Sequence, residues 1–243
     1  VAKYNAVLAI NPAHRNALVG AERLDAGLER WDELLNIYDL QLAAFESDDE
    51  RIDIYAKKSQ VYETKLNRLA DAIDCMNQVT LIQPDNIMGI EQLERLYEIA
   101  ERWQDLIDEI NTHINVLDDA SQHIELYRKL GVVFRDKVGD PTSAIDAFLN
   151  LTSIQPNDIP ALYALADLYQ AGEDYYSSID YLKRIIECLS DSNEITDVHY
   201  RIGMLNYVQL TDDVSAEACF KNCLDINAGY MPAIDALKQI YEG

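Results

Sequence analysis

Residues 130–156 read LGVVFRDKVGDPTSAIDAFLNLTSIQP. Two helices and the joint between them are written into this stretch. Asp140 followed by Pro141 pairs an N-cap side chain with a proline at the first helical position, where its missing N–H breaks no hydrogen bond. Pro156, followed by Asn157 and Asp158, stops the second helix and caps the next. The same punctuation recurs every 72 residues: Pro12, Pro84 and Pro156 share a column, with Ala228 in the fourth slot. Ile10, Ile82, Ile154 and Ile226 stand two residues before them. Leu24, Leu96, Leu168 and Ile240 keep the interval, as do Trp31, Trp103 and Tyr175, and Ala72, Ala144 and Ala216. Columns held in register without a gap identify an internal repeat, and repeat arrays work by offering surface.

Each period divides into four amphipathic helices. In the third, Ala161, Leu162, Leu165, Ala166, Leu168 and Tyr169 lie on one helical face. Gly172 reads as a C-terminal glycine stop, as Gly27 does in the first period. Tyr175 to Leu189 carry Ile179, Leu182, Ile185 and Ile186 as their stripe, and Ser190–Asn193 is a turn rich in N-cap residues. Val198, Ile202, Gly203 and Leu205 begin a helix that ends near Leu210. Asp212 and Asp213 then restart the chain into Ala216, Phe220, Cys223 and Ile226. No segment alternates long enough to demand a strand. The expectation is an all-α chain of about fourteen helices joined by short turns, one continuous domain over residues 1–243. The sequence begins at Val1 and stops at Gly243 inside a repeat unit, so a piece of a longer protein is expected.

The period holds two helix pairs of about 34 to 38 residues, near the length of a tetratricopeptide unit. Leu130, Gly131, Phe134, Ala144, Phe148, Leu151 and Pro156 resemble the tetratricopeptide signature, with one extra residue in the turn. Ile202, Gly203, Ala216, Phe220, Cys223 and Ala228 repeat it without the proline. Ser59, Tyr62, Ala72, Met76, Val79 and Pro84 form a third copy. The alternate pairs have drifted. Ser178 stands where a small alanine is usual, Leu34 and Leu106 take that place earlier, and Glu22 and Glu94 replace the small residue of the first helix. The resemblance implies an α-solenoid of antiparallel pairs wound into a right-handed superhelix. First helices would line a concave groove that takes a peptide, a helix or a folded partner. It gives fold rather than ligand.

Charge sets the excluded classes. Against 20 Lys and Arg stand 43 Asp and Glu, net −23, so the average field repels nucleic acid and anionic membrane. No run of about 18 apolar residues is present to span a membrane. Cys75, Cys188, Cys219 and Cys223 form no CxxC pair, and Cys219 with Cys223 find no His or carboxylate to complete a metal set. They read as reduced core cysteines, which leaves the compartment open and favours the cytoplasm. Trp31 and Trp103 read as packing between units, and His199 shares a column with Tyr55 and Tyr127. Neither a phosphate loop nor a GxSxG or HExxH motif occurs, so no catalytic residue, cofactor or metal is assigned.

The family geometry places Arg23, Lys57, Gln60, Glu91, Arg95, Asp167, Gln170 and Met204 on the groove side of the first helices. The residues expected to hold a partner are Arg95, Arg128, Lys129, Arg135, Tyr163, Tyr200, Arg201 and Tyr207. Arginine forks suit carboxylates, and tyrosines offer flat contact area. The competing reading is that these cations neutralise Glu91, Glu98, Glu125 and Asp136 beside them. Val132 stands where an Asn is needed to clamp a C-terminal carboxylate, so chaperone-tail binding is not expected. The reading is a non-enzymatic scaffold binding a protein or peptide. The alternatives are a structural spacer that self-associates and an RNA-processing repeat, which the negative charge disfavours.

Overall fold

The computed structural model describes residues 2–242, and every regular element among them is helical. The chain divides into two compact units, residues 1–118 and 119–243. The first holds α1 (Ala2–Ile10), α2 (Arg15–Gly27), α3 (Trp31–Ala44), α4 (Asp48–Thr64), α5 (Leu69–Ile82), α6 (Ile87–Ile99) and α7 (Trp103–Val116). The second opens on a 3₁₀ turn, Ala120–Gln122. It continues through α8 (His123–Val133), α9 (Pro141–Ile154), α10 (Ile159–Ala171), α11 (Tyr175–Cys188), α12 (Ser192–Met204), α13 (Asp213–Ile226) and α14 (Met231–Glu242). In both units the main packing is between helices adjacent in the chain, α4 on α5 and α10 on α11 most extensively.

The recurring columns are where hairpin helices touch. Ala72, Ala144 and Ala216 are fully buried. Opposite them, Gly131 and Gly203 lie against Phe148 and Phe220, so close that a Cβ would stand 2.6 and 2.5 Å from the rings. In the first unit the same slots hold Ser59 and Met76, and the Ser59 hydroxyl donates to the Ala72 carbonyl at 3.0 Å. The drifted pairs solve the contact differently. Ser178 Oγ donates to the Ala166 carbonyl at 2.8 Å. Gln41 Nε2 donates to Glu22 at 2.7 Å, and Glu94 meets His113 Nδ1 at 2.6 Å. Seventy-two residues further on, this polar couple becomes the apolar couple Ala166 and Ile185. Glu22 and Glu94 therefore each bring a hydrogen-bonding partner into the seam, as a buried polar group requires.

Helix starts follow the caps read from the sequence: Asn86, Asp140, Asp158 and Asp191 each accept a backbone N–H of the next turn. Helices end at both glycines as read, but neither glycine is left-handed. Gly27 is the last residue of α2, and Gly172 has φ −83°. The left-handed residues are Glu29, Glu101 and Glu173, with φ 55°, 54° and 62°. Next to them, the N–H groups of Arg30, Arg102 and Asp174 bond the carbonyls of Asp25, Tyr97 and Tyr169, each at 2.9 Å. That six-to-one bond closes the last turn and holds a residue with a side chain where glycine is usual. A second left-handed series, Asn67, Gly139 and Thr211, ends the first helices of the other pairs. There the bond is one residue wider, Asp140 N–H to Phe134 and Asp212 N–H to Asn206, both 2.9 Å. The last turns of α8 and α12 relax into π-helical segments, Phe134–Val138 and Leu205–Gln209. The extra turn residue seen in the sequence is this π turn.

Candidate binding face

Successive first helices are cross-linked by side chains about one helix pair apart in sequence. In the first unit Lys57 of α4 reaches Glu22 of α2 at 3.2 Å and Asp53 at 2.8 Å, and Arg15 of α2 pairs with Glu50 of α4. Arg95 of α6 forks onto Glu63 of α4 with both bonds at 2.6 Å. It also donates to Gln92 Oε1 at 2.9 and 3.2 Å. The fork holds the Glu63 carboxyl below its ordinary range and raises Arg95 in return. Arg95 thus spends its guanidinium on a residue 32 positions away rather than on Glu91 or Glu98.

In the second unit Arg128 of α8 forks onto Asp158 at 3.0 and 2.8 Å, with a longer bond to Glu125 at 3.3 Å. Asp158 is buried and also caps α10 through the Ala161 N–H at 2.9 Å. Its carboxyl is pulled down, first by Arg128. Arg128 therefore fastens one first helix to the start of the next. Arg135 pairs with Asp136 at 2.7 and 3.0 Å. Arg201 of α12 pairs with Asp167 of α10 at 2.6 Å and donates to Gln170 Oε1. Lys129 is half-buried on α8. Tyr163 is half-buried against the core shared by α10, α11 and α12, where burial, then Glu194, raises its hydroxyl pKa. The Tyr200 ring lies 5.7 Å from both Phe220 and Tyr230, and Tyr207 packs on the same cluster.

One signal for these partners was present in the sequence. Glu63 and Arg95 recur 72 residues later as Arg135 and Asp167, with the signs exchanged. Asp167 adds to the charges that raise Arg135. Only the first pair closes as a fork; Arg135 bonds Asp136 instead, and Asp167 pairs with Arg201. The cavities are what the sequence did not show. One of about 470 Å³ lies between α2 and α4, lined by Val19, Glu22, Arg23, Phe45, Ile54 and Lys57. A second of about 420 Å³ lies between α4 and α6, lined by Gln60, Glu63, Met76, Met88, Gln92 and Arg95. In the second unit a cavity of about 380 Å³ lies between α10 and α12, at Asp167, Gln170, Ala171 and Arg201.

Burial works against reactivity at two of the cysteines. Burial pushes the Cys75 thiol up to about 11 and Cys223 up to about 12, so both stay protonated near neutrality. No cluster of three metal-ligating side chains occurs among the described residues, and no described helix is long and apolar enough to cross a membrane.

The hairpin geometry, the small-residue seam and the cross-linked first helices coincide with a family match. Residues 52–86, spanning most of α4 and all of α5, match the family model for the tetratricopeptide repeat. That stretch is similar to one tetratricopeptide repeat. The solved structures the chain resembles extend the fold over the rest. The Naa15/Naa10 complex bound to HypK-THB is 13% identical with a TM-score of 0.64, covering 98% of this chain and 35% of that one. The C-terminal part of a TPR repeat-containing protein from Cytophaga hutchinsonii is 14% identical with a TM-score of 0.52, covering 96% and 92%. The MamA protein is 19% identical with a TM-score of 0.51, covering 74% and 93%. At these identities the likeness is one of fold. No curated protein matches the sequence.

Proposed function

We propose that this tetratricopeptide array is a non-enzymatic scaffold that holds a peptide or protein segment on the faces of its first helices. The supporting observation is where the cavities fall. In the first unit two open between α2 and α4 and between α4 and α6, and in the second one opens between α10 and α12, beside others at α1–α2 and at α11–α13. Each of those between first helices is floored by helices already fixed to one another by ion pairs, so a partner meets a preformed surface and little ordering of the array opposes binding. Within the second unit Tyr163, Tyr200, Arg201 and Tyr207 contribute to this face, with Arg128, Lys129 and Arg135 on or just after α8. Arg95 contributes in the first unit.

The test is hydrogen exchange of the whole chain with and without a peptide selected on it from a random library. Protection is expected on α4, α6, α10 and α12. Protection confined to the second helices α5, α9, α11 and α13 would move the site to the other side. If no peptide is enriched and sedimentation shows concentration-dependent assembly, the self-associating spacer replaces the scaffold.

A further inference from the structure

We propose that the cavity between α4 and α6 is a subsite for an uncharged apolar side chain of an extended peptide, whose main chain bonds the amides of Gln60 and Gln92. This deepens the scaffold reading and rests on it. Charge decides first what can enter. The two ionic groups that line the cavity, Glu63 and Arg95, are closed on each other through two bonds of 2.6 Å. The Glu63 side chain is only 19% exposed. A carboxylate arriving here must displace Glu63 from the fork, and an arriving cation must take Glu63 from Arg95. The first exchange strands the mostly buried Glu63, and the second only trades one ion pair for another and leaves Arg95 unpaired, so neither returns more than a surface pair is worth. The subsite therefore discriminates against charged side chains, although it contains an arginine.

What remains available is amide and sulfur. Arg95 occupies the Oε1 of Gln92 with two bonds, which fixes that amide and leaves its Nε2 as the free end. The exposed Gln60 side chain has no hydrogen-bond partner among the described residues. One amide thus offers donors and the other a donor and an acceptor, a complement to a peptide C=O and N–H. Besides the hydroxyls of Ser59 and Thr64, the latter turned back onto the Gln60 carbonyl at 2.7 Å, the remaining lining is Ala56, Met76 and Met88. Met76 is 2% exposed and forms the floor, and Met88 is 42% exposed at the rim. Methionine is unbranched and polarisable, so this wall adapts to aliphatic or aromatic side chains rather than to one shape. The Ser59 hydroxyl is directed into the hairpin by its bond to the Ala72 carbonyl and does not compete.

The experiment uses the full chain and an immobilised library of random peptides about 12 residues long. Selected peptides are expected to carry an uncharged apolar core. Titration calorimetry of one selected peptide should show affinity changing less than about threefold between low and high salt, because no ionic contact is made. Gln60→Ala with Gln92→Ala should weaken it about tenfold, as expected for lost main-chain bonds. Met88→Asp should abolish binding, and Met88→Leu should keep it. Far-UV circular dichroism checks that each variant remains helical. Acidic or basic cores with affinity falling steeply in salt would overturn the proposal. So would peptides indifferent to the two glutamine substitutions but protecting α10 and α12, a result that leaves the scaffold reading standing. Failure to enrich any peptide would overturn both.

Discussion

Gly203 shows how much one missing Cβ decides. A methyl group there would stand 2.5 Å from the Phe220 ring, which is fully buried and cannot retreat. Gly203→Ala should lower stability by about 1–3 kcal/mol, the usual range for overpacking, measured by denaturant unfolding. Gly172→Ala is the control: its φ is −83° and the nearest atom to a Cβ is 3.5 Å away, so it should be neutral or slightly stabilising. Both glycines were visible in the sequence as breaks or small slots. Only the packing separates the one that is crowded from the one that is free. The arginines behave in the same way. Arg95, Arg128 and Arg201 were legible as cations on first helices, but their partners Glu63, Asp158 and Asp167 are fixed by how neighbouring helices stack.

At the level of the helix pair, the α6–α7 seam is weakened as pH rises. Glu94 and His113 are both buried and bonded at 2.6 Å. Burial, with the Glu94 charge adding, pushes the Glu109 carboxyl up to about 7 from an ordinary value of 4.5. A carboxyl raised in the folded state favours folding when protonated. Its contribution is complete below the unfolded value and is lost as pH rises through about 7. The protein should therefore lose melting temperature from this group between pH 5 and pH 8, by a few degrees. Glu109→Gln should flatten that slope, and thermal unfolding of both proteins at the two pH values checks it. Equal slopes would remove Glu109 as the source. Glu94 was legible as a departure from the small-residue pattern. Its pairing was not, because the partner lies 19 residues away on the facing helix.

Over the whole molecule the net charge of −23 outweighs any single contact. Most cations are already committed to ion pairs within the fold, so the remaining carboxylates repel one another across the surface. Raising NaCl from about 20 to about 300 mM should increase the melting temperature by screening that repulsion, whereas a protein held mainly by exposed ion pairs would lose stability. A scan at the two salt concentrations decides between them.

The sequence by itself determined the period, the helices, their starts and the small column at each hairpin seam. These follow from caps and apolar spacing within a few residues, which act before any distant segment is in place. Tertiary structure decided which carboxylates Arg95, Arg128 and Arg201 take and where cavities open between first helices. Those outcomes join side chains about 30 residues apart on separate helices. They depend on the stacking register of one hairpin on the next, which no local pattern encodes.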